Sequence, residues 1–89
     1  MTLDEARTTM EGIGYTFVRM NKGCSGCGIG DSILMDVPDA PHLTLQIIKH
    51  KNLIGRFVIK NKTTNKPLLT GALDNILTIL NGKDFSIFE

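Results

Sequence analysis

Apolar and polar residues alternate along His42-Leu43-Thr44-Leu45-Gln46-Ile47-Ile48-Lys49, and Arg56-Phe57-Val58-Ile59-Lys60-Asn61-Lys62 repeats the rhythm less cleanly. Successive side chains leave a strand on opposite faces, so this pattern predicts half-buried strands. Pro41 to Lys62 therefore reads as a two-stranded hairpin around which the rest of the chain is arranged. Leu43, Leu45 and Ile47 share its inner face with Phe57 and Ile59. Thr44, Gln46, His50, Arg56, Lys60 and Lys62 look outward, with Ile48 and Val58 among them.

Upstream, Thr2-Leu3-Asp4-Glu5 has the form of a capping box, in which a threonine side chain and a glutamate three residues on satisfy each other's backbone donors. Leu3, Ala6, Met10 and Ile13 follow at helical spacing, with Gly12 and Gly14 placed to end the helix. Tyr15 to Met20 is rich in β-branched and aromatic residues and reads as a strand, and Ser32 to Val37 as a second. Pro38-Asp39-Ala40-Pro41 is expected to stop it, because proline withholds a ladder donor. Beyond the hairpin, Lys62 to Pro67 reads as a polar loop. Leu69, Leu73, Ile76, Leu77 and Leu80 recur at helical spacing, and Asn81-Gly82 can close that helix. Gly71 costs such a helix about 1 kcal/mol against alanine. Phe85 and Ile87 flank Ser86 in a short final strand or a docked tail.

The expected order is helix, four strands, helix. This is an α+β chain forming a two-layer sandwich: a mainly antiparallel four-stranded sheet with the N-terminal and C-terminal helices on one face. Residues 1–89 are expected to form one domain, since 89 residues suffice for one modest core and not for two. With four Phe, one Tyr and no Trp, that core must consist mainly of Leu, Ile and Val. No apolar run approaches the ~20 residues of a membrane span, and no basic-then-apolar leader opens the chain, so the expected location is cytoplasmic and away from membranes.

The formal net charge of +1 hides an uneven distribution. Residues 1–39 carry six acids and three bases; residues 40–73 carry Lys49, Lys51, Arg56, Lys60, Lys62 and Lys66 and no acid. The hairpin region 49–66 is thus a positive block between acidic flanks. It is either a basic binding face or a face neutralised within the fold by groups such as Asp31, Asp36 or Asp74.

Gly23-Cys24-Ser25-Gly26-Cys27-Gly28-Ile29-Gly30 is the only local sequence resembling a chemical motif. A Cys-x-x-Cys-Gly turn has the shape of one zinc knuckle, but tetrahedral zinc takes four ligands and no second pair exists. His42 and His50 would lie ~26 Å apart on one extended strand, so they cannot both complete the site. Zinc held by Cys24 and Cys27 would have to be shared between two protomers. A redox pair at a helix start is the second reading, although Gly28-Ile29-Gly30 is a poor helix start. A structural, glycine-rich loop with reduced thiols is the third. The glycines match neither the dinucleotide nor the Walker spacing, and no nucleophile–histidine–acid set can be assembled.

These observations lead to the expectation of a small non-enzymatic regulatory or inhibitory protein, without a cofactor, acting by protein–protein contact and self-associating as a homodimer. Ile48 and Val58, side by side on an otherwise polar face, would be better buried against a partner. The alternative is nucleic-acid binding by Lys49, Lys51, Arg56, Lys60 and Lys62, which could track phosphates but bring no aromatic ring to stack bases. A metal- or redox-dependent protein working through Cys24 and Cys27 is the third class.

Overall fold

Thr2 starts the first helix as its pattern predicts. In a computed structural model, which describes residues 2–23, 30–49, 55–82 and 85, the Glu5 amide donates to Thr2 Oγ1 at 3.1 Å and the Thr2 amide donates to Glu5 Oε1 at 3.4 Å. Helix α1 runs from Leu3 to Gly12 with Ala6 and Met10 fully buried. Arg7 and Glu11 pair along its surface at 3.2 Å, and the Arg7 guanidinium lies 3.7 Å from the centre of the Phe17 ring. That stacking ties the helix to the strand that follows.

Among the described residues five strands follow, not four: β1 (Thr16–Asn21), β2 (Asp31–Val37), β3 (Ala40–Lys49), β4 (Arg56–Asn61) and β5 (Pro67–Ala72). They form one antiparallel sheet in sequential order, with β3 at its centre. A 3₁₀ turn at Leu73–Asn75 leads into the short helix α2 (Ile76–Leu80).

The missed strand is β5. Its Leu69 and the later Leu73, Ile76 and Leu80 mimic a helical period, yet Leu69 reaches the core from a strand. The chain is turned back before it by Asn61, whose side-chain oxygen accepts from the Thr63 and Thr64 amides at 2.8 and 3.1 Å. Asn65 takes φ 57°, a conformation asparagine tolerates, and its amide donates to the Asn61 carbonyl at 2.8 Å. Pro67 then sits at the start of an edge strand, where its missing donor is harmless. Leu77, expected on the apolar side of a long helix, is exposed.

Pro41 does not stop a strand; it lies within β3. Its position falls in the register gap between Asp36↔Thr44 and Val37↔Ala40, where no ladder donor is used. The reversal is made by Pro38 and Asp39 alone, with Asp39 at φ 60°.

The inner face is as the alternation predicts: Leu43, Leu45, Ile47, Phe57 and Ile59 are all fully buried. Ile33, Met35 and Val37 extend this row onto β2, and Ala6, Met10, Leu73, Ile76 and Leu80 join it from the helical segments in one cluster. Helix α1 touches β1, β2, β3 and α2, while α2 touches β5.

Two places in this core are under visible constraint. A Cβ at Gly71 would lie 2.9 Å from two Phe57 ring carbons and 3.0 Å from Ile79 Cδ1, so the absent side chain lets β5 meet the ring opposite it. The Tyr15 hydroxyl is buried with no hydrogen-bond partner among the described residues, and desolvation pushes its pKa up from 10.0 to about 12.

Gly71→Ala is expected to destabilise the fold by ~1–3 kcal/mol through overpacking. Gly12→Ala, where a Cβ meets nothing within 4 Å, should be neutral or stabilise by up to ~1 kcal/mol. Urea denaturation of the two variants reads the contrast, and equal effects would show that the Phe57 contact does not constrain position 71.

Tyr15→Phe removes a buried donor that has no acceptor among the described residues, so at neutral pH it should hold or raise stability, by at most ~1–3 kcal/mol. The folded-state pKa of about 12 lies above the unfolded value of 10.0. Stability in the native chain should therefore be intact below pH 10 and decline as pH rises from there toward 12. The Phe variant should lack that part of the decline in denaturation curves across this range.

Candidate binding surface

Side chains that do not enter the core along β1 to β5 must emerge on the opposite face, and the register sorts them into rows. Arg19, Leu34, Gln46, Val58 and Thr70 form one row across all five strands. Asn21, Ser32, Ile48, Arg56 and Ala72 form the next, and Thr16, Asp36, Thr44 and Lys60 another. Ile48 and Val58 lie diagonally rather than directly opposite, since Ile48 faces Arg56 and Val58 faces Gln46. Both are half-buried, as is Leu34 on the adjacent strand, and none of the three belongs to the core cluster.

Leu34 and Arg19 were not among the residues singled out by alternation. Ile33, Leu34 and Met35 are apolar in succession, so β2 alone gives no parity to read. In β1 the register shifts between Phe17 and Arg19, a bulge that puts Arg19 in the row of Leu34. Only the pairing with a neighbouring strand assigns either residue to a face.

The cations on this face differ in what compensates them. Lys62 Nζ donates to Asp36 Oδ1 at 2.8 Å, so one acid does neutralise part of the hairpin. Lys60 Nζ donates to the neutral Gln46 Oε1 at 3.0 Å and keeps its charge unbalanced. Arg19 and Arg56 are exposed and make no ion pair among the described residues. Lys49 ends β3 opposite Asp31, whose carboxylate accepts from the Gly23 amide at 2.7 Å. The outer face thus has an aliphatic middle with positive charge on β1 and on β4.

Lys51, His50, Cys24 and Cys27 lie outside the described residues. His42 is exposed, and its carbonyl accepts from the Lys62 amide at 3.0 Å. Among the described residues no three His, Cys, Asp or Glu side chains gather as metal ligands, and no helix is long and apolar enough to cross a membrane. No family model matches the chain, and comparison with curated proteins and with solved structures gives no significant match.

Exposed charges contribute little to folding, so Arg56→Gln should change stability by less than ~0.5 kcal/mol, and Lys60→Gln, which loses a half-buried bond to Gln46, by less than ~1 kcal/mol. Asp36→Asn, which breaks the pair with Lys62, should cost less than ~1 kcal/mol. Thermal melts of the three variants test this; a loss of ~2 kcal/mol or more would mean that these charges hold the fold.

Proposed function

We propose that this chain is a small non-enzymatic regulatory or inhibitory protein that works in the cytoplasm, without a cofactor, by protein–protein contact. Residues 1–89 form one domain in this reading, a two-layer sandwich with both helices on one face of the sheet. The other face is then left for a partner. One observation carries the reading: Leu34, Ile48 and Val58 stand half-buried in the middle of the outer face, apart from the core cluster. Aliphatic side chains clustered on a sheet face gain from being removed from water, at roughly 25 cal/mol per Å².

Self-association belongs elsewhere on the molecule. Two outer faces brought together would oppose Arg19, Arg56 and Lys60 with their own copies, and like charges at a contact are costly. A second copy is better served by the edge strand β1, where Val18 and Met20 are exposed at 50% and 37%. The basic hairpin keeps nucleic acid as the rival partner.

A photo-crosslinking residue placed in turn at Val58, at Val18 and at the exposed helical position Thr8 separates these readings in the protein's own cell. Position 58 is expected to yield protease-sensitive adducts with another protein, position 18 adducts with a second copy, and position 8 none. Nuclease-sensitive adducts at position 58 would replace the protein partner by nucleic acid. A silent position 58 would refute contact through this face.

A further inference from the structure

Resting on that reading of the outer face, we propose that its occupant is an acidic amphipathic helix of a partner protein. The spacing of charge across the sheet points to it. Arg19 on β1 and Arg56 and Lys60 on β4 are separated by three strand intervals, ~14 Å at ~4.8 Å each. A helix with its side chains is ~10–12 Å across, so one helix lies between these two cationic margins, over β2 and β3. The floor beneath it is Leu34 and Ile48, with Val58 at its side. In these rows the polar positions on the two strands are Ser32, which is buried, Thr44, Gln46, which is held by Lys60, and Asp36, whose charge is already met by Lys62.

Along the strands, three rows at two-residue intervals span ~14 Å, the rise of about nine helical residues. A stripe of apolar positions at i, i+3 or i+4, and i+7 covers that length. Carboxylates flanking the stripe on both sides then reach Arg19 on one margin and Arg56 and Lys60 on the other. Arg19 and Arg56 have no acid partner among the described residues, and Lys60 has only an amide, so a helix with Asp or Glu on both flanks supplies the compensating charge.

The other occupants fit less well. Among the described residues, α1 of a folded second copy offers no free apolar stripe to go with its acids, because its Ala6 and Met10 are buried in its own core. A nucleic acid would find cations at the margins, but its bases would meet aliphatic side chains, with no aromatic ring from the rows of this face to stack on.

Two stapled helical peptides of ~14 residues share one leucine stripe, with Glu flanking it in one and Lys in the other; a single-stranded DNA oligonucleotide is the third probe. Anisotropy titrations are made at low and high salt, with NMR amide shifts to locate binding. The Glu peptide should bind at least ~10-fold more tightly than the Lys peptide, should shift Leu34, Ile48 and Val58, and should weaken with salt. The combined variant Arg19→Gln, Arg56→Gln, Lys60→Gln should lose most of that preference, and Val58→Asp should lose binding of both peptides. Should Val58→Asp not fold, the charge variant alone carries the test.

Equal binding of both peptides at this face overturns the acidic partner while leaving contact through the face intact. DNA binding with no peptide binding overturns both. Binding of none of the probes overturns the acidic helix, and the crosslinks at position 58 then judge the face independently.

Discussion

Burial of Leu43, Leu45 and Ile47 on the central strand sets the arrangement of everything around them. Side chains alternate along a strand, so a slip of one residue would send all three into water and bring Thr44, Gln46 and Ile48 into the core. Because β3 lies in the middle of the sheet, its register propagates outward through Leu45↔Ile59 and Met35↔Leu45 to β4 and β2. The inner row on each side is then apolar, and Ala6, Met10, Ile76 and Leu80 of the helical segments join it in one buried cluster.

The outer face inherits its composition from the same constraint. Once Ile33, Met35 and Ile47 are committed inward, Leu34 and Ile48 have nowhere else to go than outward. Their outward placement is therefore a consequence of apolar runs in β2 and β3. The charges on this face are compensated unequally. Lys62 has the nearby acid Asp36 beside it, whereas Arg19 and Arg56 have no acid partner among the described residues.

The closing of the sheet depends on small residues at tight positions. At Gly55 a Cβ would stand 2.7 Å from Leu73 Cδ2, and the Gly55 carbonyl accepts from the Leu73 amide at 2.8 Å. That bond joins the start of β4 to the turn after β5, while Gly71 lets β5 lie against Phe57. Both glycines therefore serve the junction between β5 and α2, from which Leu73, Ile76 and Leu80 join the core.

The capping box at Thr2, the inner faces of β3 and β4 and the outward placement of Arg56, Lys60 and Lys62 were legible in the sequence. Each depends on residues close in the chain and on a period of two or of 3.6. Strand β5 was not, because Leu69, Leu73, Ile76 and Leu80 satisfy a helical spacing while the decisive facts are non-local: the Asn61 turn and the room that Gly71 leaves for Phe57. The candidate surface divides in the same way. Ile48 and Val58 followed from alternation within one strand, but Leu34 lies in an unbroken apolar run and Arg19 beyond a bulge, so only pairing between strands assigns them a face. Likewise the acid that neutralises Lys62 lies 26 positions away in the chain. Local periodicity determined which side chains each strand turns together; tertiary pairing decided which strands set those side chains beside one another, because contacts across a sheet carry no trace in the spacing of either partner.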